Sequence, residues 1–158
     1  MSDNVISSDN PLSQEDRDVL EIVVATMIPE NAEYGVPGAD DEAIFANILA
    51  RAAPYHEQIS DSLAALRKLS EERHGKTFPL VDFDDRVKLV NDFRSLQSAS
   101  IRRMSSIAVQ CYYLDDRVMA SLGMDARAPY PDGFTVEQGD WSLLDPVRKK
   151  QKLYREVS

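Results

Sequence analysis

His74 closes the run Glu71-Glu72-Arg73-His74, and Glu-x-x-His is the spacing by which helical bundles hold di-iron centres. Such a centre needs a second copy and two further carboxylates. The only other histidine, His56, has Ala53 at the required offset. Exposed helix ends account for both histidines. Asp82, Asp84 and Asp85 resemble the opening of a calcium loop, but Arg86 and Lys88 stand where an EF-hand offers oxygen ligands, and no glycine follows. Helix capping is the better reading of that cluster. Cys111, the only cysteine, lies on an apolar helical face with no obvious group to lower its pKa. Gly35-Val36-Pro37-Gly38 lacks the lysine and the preceding strand of a phosphate cradle, and Arg102-Arg103 is a twin-arginine pair by letter only. No nucleotide or flavin fingerprint occurs. The residues predict a chain that is not an enzyme, with no catalytic, metal or cofactor-binding residues of its own.

The elements that would position any site are helical. Ser13 with Asp16 predicts a helix start close to a capping box, followed by a stripe of Val19, Leu20, Val23, Val24, Met27 and Ile28 that Pro29 stops. Glu30 to Asp40 reads as an ordered loop; Pro29 at its entry and Gly35, Pro37 and Gly38 within it are the structural residues, and Tyr34 is a buriable side chain. Caps at Asp40 or Asp41, Pro54, Asp82, Ser98 and Asp115 predict five more helices, the third ending at Gly75 and the sixth at Gly123. Phe78-Pro79-Leu80 reads as a linker. No sustained alternation or hairpin turn argues for strands. The fold class expected is all-α: a bundle of five to six helices over 13–123, a flexible arm over 1–12, and an irregular segment over 124–158.

Composition bounds the partners. The chain has 158 residues and a net charge of −9, which opposes phosphate neutralisation and argues against nucleic acid. Residues 1–60 carry 12 acids and 2 bases, whereas 145–158 carry 5 bases and 2 acids. The longest apolar run, Ile22 to Ile28, is far short of the ~20 residues a membrane helix needs. A single cysteine permits no intrachain disulfide.

The segment from Met124 is rich in aromatics for a tail, so it should pack on its own helices or on a partner. Asp145-Pro146 predicts a short terminal helix. Large aromatics and arginines anchor interfaces, which makes Tyr112, Tyr113, Tyr130, Phe134, Trp141, Leu144, Pro146, Arg148 and Tyr154 the candidate partner-binding residues.

Several of these stretches together resemble the small subunit, subunit 3, of the gluconate 2-dehydrogenase family. The resemblance rests on Met27-Ile28-Pro29 and Tyr34-Gly35-Val36-Pro37-Gly38-Ala39-Asp40, then Tyr112-Tyr113, Asp116-Arg117-Val118 and Leu122-Gly123. It closes on Pro129 to Gly133 and Asp140-Trp141-Ser142-Leu143-Leu144-Asp145-Pro146-Val147-Arg148. It implies a non-catalytic subunit that binds and stabilises a large FAD-dependent dehydrogenase of the glucose–methanol–choline type, sometimes with a cytochrome c subunit. The FAD then belongs to the partner chain. The alternative within the same resemblance is an assembly or export chaperone released after maturation. Many such relatives start with a twin-arginine export signal, whereas this sequence starts Met1-Ser2-Asp3-Asn4. The expectation is a cytoplasmic protein, the alternative being periplasmic by co-export with a signal-bearing partner.

Overall fold

A computed structural model describes residues 10–96, 98–127, 133 and 138–151. The chain divides into two units, Met1–Ala126 and Arg127–Ser158. Among the described residues no β-strand occurs, and the class is all-α as the periodicity predicts. Of the expected arm, residues 1–9 lie outside the described residues. Residues 10–12 are not free: Asn10 donates to the Leu49 carbonyl and accepts from the Leu12 amide, and Leu12 is buried in the core. The apolar side chain and its amide cap therefore begin the domain earlier than Ser13.

Helix α1 runs Gln14–Met27, with the Ser13 hydroxyl accepting from the Asp16 amide at 3.1 Å. Helix α2 is Glu42–Ala52, capped by Asp41. A 3₁₀ turn at Ala53–Tyr55, with Pro54 in its first positions, leads into α3, His56–His74. Gly75 closes α3 at φ 62°, and its amide donates to the Glu71 carbonyl. Helix α4 is Phe83–Ser95, α5 is Ala99–Tyr113 under a Ser98 cap, and α6 is Asp116–Ser121 under an Asp115 cap. Asp82 stands at the start of α4, but its carboxylate faces Lys76 at 3.3 Å and makes no capping bond.

Helix α3 packs against α1, α4 and α5, and α2 lies along α5. The shared core includes Leu20, Ile44, Ile59, Leu63, Leu66, Leu89, Phe93 and Met104. Phe78-Pro79-Leu80 is more than a linker. It forms a 3₁₀ turn that puts Phe78 fully out of water, with Val81 buried behind it. An aromatic next to a proline reads as punctuation in sequence, yet its ring is among the largest side chains in the core. One carboxylate is buried beside that core, with its cation partly exposed. The Asp16 carboxylate, 4% exposed, accepts from Ser60 and from Arg67 at 2.6 Å, which ties α1 to α3. Burial alone would push that carboxyl up, but the donors Ser60, Arg67 and Ser13 outweigh it and hold it below the ordinary range.

The described part of the second unit is short. Asp140 accepts from the Ser142 amide and hydroxyl, opening a 3₁₀ turn at Trp141–Leu144 that passes directly into α7, Asp145–Arg148. Asp145-Pro146 does start that helix, as expected.

Candidate partner-binding surface

The loop after α1 is built from its punctuation. Pro29 is exposed and ends the helix, after which Asn31 and Val36 exchange backbone hydrogen bonds as an isolated antiparallel bridge. The Asn31 carboxamide oxygen accepts from the amides of Glu33 and Tyr34, and Gly35 turns the tip at φ 63°. Tyr34 is exposed at this tip rather than buried, because the turn points outward. Pro37 is half-buried, and Gly38 is buried with no positive φ. Its need for glycine is steric: a Cβ there would stand 3.0 Å from the Glu30 amide nitrogen and 3.4 Å from the Ile28 carbonyl. The neighbouring amide of Ala39 donates to that carbonyl at 2.9 Å, so the loop folds flat against the end of α1.

This loop delivers Asp41 to a partner far along the chain. Arg117 donates to both carboxylate oxygens of Asp41, at 3.0 and 2.6 Å, and to both of Asp115, at 2.9 Å each. Asp41 and Asp115 are also the caps of α2 and α6. Bonding from Arg117 holds both carboxyls below the usual range, and the two carboxylates raise the guanidinium further. Two stretches that the sequence offered separately, the Gly38-Ala39-Asp40 loop and Asp116-Arg117-Val118, are thus one joint. Sequence reasoning cast Asp41 and Asp115 as caps alone. The signal for more was an arginine two residues after a capping aspartate, a position with no helical need for it.

The candidate anchors fall into different environments. Tyr112 is a correction: its ring is buried in the core and meets Tyr113 edge-to-face, centroids 5.3 Å apart. The 3.6-residue period that buries Met104, Ala108 and Cys111 also turns Tyr112 inward, so it packs the bundle and offers no surface to a partner. Tyr113 is half outside, and Leu114, Leu122 and Met124 are exposed after it in the chain. In the second unit Trp141 is 61% exposed, with its indole nitrogen 3.4 Å from the Gln138 side-chain oxygen. Leu143, Leu144 and Val147 are exposed too, as are Pro146 and Arg148, the latter 3.4 Å from Asp145. Tyr130, Phe134 and Tyr154 lie outside the described residues.

Residues 14–130 match the family model described as Gluconate 2-dehydrogenase subunit 3. The chain belongs to that family. No curated protein and no solved structure matches it. The matched residues take in the whole α1–α6 bundle, the loop and the Asp41–Arg117 joint, and end before Trp141. A family named for a subunit directs attention to surfaces. Glu71 is exposed while His74 lies 3.7 Å from Asp85, and Asp85 also accepts from Lys88 at 2.8 Å. Among the described residues no three of His, Cys, Asp and Glu converge as a metal set would. The Cys111 thiol is buried, and desolvation pushes it up, away from a reactive thiolate. Among the described residues no helix is long and apolar enough to cross a membrane.

Proposed function

We propose that this chain is the non-catalytic small subunit of a dehydrogenase complex, binding and stabilising a large FAD-dependent chain of the glucose–methanol–choline type. The observation that carries the reading is membership of a subunit family across residues 14–130. What supports it in the fold is the set of large apolar side chains left in water, Trp141, Leu143 and Val147 in one unit and Tyr113, Leu122 and Met124 in the other. Trp and Tyr are favoured interface anchors because they bury much area for two torsions of lost freedom. In this reading the flavin and the substrate pocket belong to the large chain, and a cytochrome c subunit takes the electrons where one is present.

The mechanism is linkage. A subunit that binds only the folded flavoprotein adds stability by mass action, about 2.7 kcal/mol when its free concentration is a hundredfold above Kd. The test is co-expression with a large FAD-dependent chain of that type from the same organism, followed by gel filtration and thermal melting. A stable one-to-one complex whose large chain melts higher than it does alone is the expected result. A large chain that folds, loads flavin and melts identically without this subunit defeats the proposal. The isolated small chain is expected to carry no flavin absorbance and to show no turnover.

A further inference from the structure

A groove of about 660 Å³ lies between α2 with its following 3₁₀ turn and α5, lined by Arg51 and Tyr55 on one side and Arg102, Arg103, Ile107 and Gln110 on the other. A second hollow of about 400 Å³ continues along α5, sharing Arg102 and adding Arg94. Among the described residues no acid lines either one. That is unexpected in a chain with 27 acids against 18 bases: from Phe93 to Leu114 the sequence runs 22 residues without an Asp or Glu.

The placement also runs against the helix that carries it. The N-terminal end of a helix favours negative side chains, since its exposed amides make it the positive pole. Helix α5 has no acid in its first turn and opens its second with Arg102 and Arg103. The Arg103 guanidinium is already held in place, 4.1 Å from the centroid of the Tyr55 ring. A guanidinium stacked in this way keeps its in-plane N–H donors for an acceptor.

We infer that this arginine-lined groove is the docking site for an acidic, partly apolar peptide segment of the partner subunit. The inference rests on the proposed function and adds the chemistry of the contact. The groove is too large for a single phosphate or carboxylate, and Tyr55, Pro54 and Ile107 give it apolar surface that a small anion does not use. A nucleic acid strand fits less well, because its phosphates would continue past the groove over a chain that is −10 in residues 1–60. A segment with two or three carboxylates and an apolar side chain between them suits both linings. Arginine forks pair with carboxylates in bidentate fashion.

The experiment uses the full chain and the purified large subunit. Affinity is measured at low and high salt for the native chain, for R51E/R103E, and for R51A, with each variant's melting temperature recorded. A photo-crosslinking residue at Gln110 then maps what lies in the groove. The expected result is salt-dependent binding, weakened at least about tenfold by R51E/R103E with melting unchanged, and crosslinks to an Asp- or Glu-rich stretch of the large chain. Should the double variant melt early, R51A and the crosslink decide, since Arg51 is an exposed side chain. A complex that forms with unchanged affinity in R51A, and crosslinks to a neutral or basic stretch or none, overturns the groove and leaves the subunit reading standing. Failure of the native chain to bind the large subunit overturns the subunit reading itself, and this inference with it.

Discussion

The bundle of the first unit and the short turn-and-helix of the second treat similar side chains in opposite ways. In the first, Phe78, Phe93 and Tyr112 are inside, and the charges that tie elements together meet partners across long sequence separations, Asp16 with Arg67 and Asp41 with Arg117. Among the described residues of the second, Trp141, Leu143 and Val147 face water, while Asp140 meets Ser142 and Asp145 meets Arg148 within a few residues. A 3₁₀ turn joined to a single helical turn has too little apolar area to make an inside of its own. The first unit thus puts most of its large apolar side chains into a core of its own, while Trp141, Leu143 and Val147 of the second stay exposed.

Removing one large ring from each unit gives the largest expected effects. Phe78→Ala removes a fully buried aromatic from the first unit, and core truncations of this kind cost about 3–5 kcal/mol. Its chemical-denaturation midpoint should fall sharply, with cooperativity retained. Trp141→Ala should leave that midpoint within ~0.5 kcal/mol, since the ring is mostly exposed. The same change should weaken the complex with the large subunit by about 2 kcal/mol, roughly thirtyfold. A drop in the free chain's stability with partner affinity unchanged would show that Trp141 packs the protein's own fold.

Most of the bundle was legible because its information is local. Ser13, Asp40 or Asp41, Ser98 and Asp115 announce their helices, and the 3.6-residue stripe of α1 puts Val19, Leu20, Val23 and Val24 in the core with Met27 and Ile28 half-buried at its edge. The failures share a physical cause, which is that the deciding partner is remote in sequence. Leu12 and Phe78 sit in stretches with no period, so nothing local says that other helices will cover them. Tyr112 and Tyr113 are adjacent and chemically identical, and only the exact phase of α5 sends one inward and the other out. The Arg117 joint spans 76 residues, which no capping rule can see. For the candidate surface, outward-facing side chains leave no periodic signature, and Trp141 stood out by residue type alone.

Gly38 stands where the ordered loop after α1 meets the start of α2. Its φ is not positive, so what constrains it is the close approach of backbone atoms. A Cβ would also meet the Asp40 side chain, which can swing away, whereas the Glu30 amide and the Ile28 carbonyl belong to the chain itself. Gly38→Val should therefore cost about 1–3 kcal/mol, the range for overpacking a tight site. Gly35, at φ 63° with open space around its Cβ position, is the control. Gly35→Asn should be nearly neutral, because asparagine tolerates the left-handed region. If both substitutions were neutral in thermal melting, the loop would not be rigid in the way its contacts imply.

A small effect is expected at Arg117, and its dependence on pH identifies the cause. The side chain is about half exposed, 49% by area, so solvent screens it and the pair with Asp41 and Asp115 should contribute about 1 kcal/mol or less. Arg117→Ala should lower the stability at neutral pH by that amount. Both carboxyls are held below their ordinary values in the folded chain, chiefly by hydrogen bonds from Arg117. A folded-state pKa that is depressed contributes stability above the unfolded value, about 3.9 for aspartate, and loses it as pH falls through the folded value. The native chain and Arg117→Ala should therefore differ at pH 7 and converge as acid protonates Asp41 and Asp115. Their curves of stability against pH decide the matter. A gap that stays constant down through the carboxylate range would mean that Arg117 acts by packing its stem, since lost methylene contacts do not titrate. A gap that closes, with Asp41→Asn matching Arg117→Ala at neutral pH, would mark the charge joint as what fastens α6 to the start of α2.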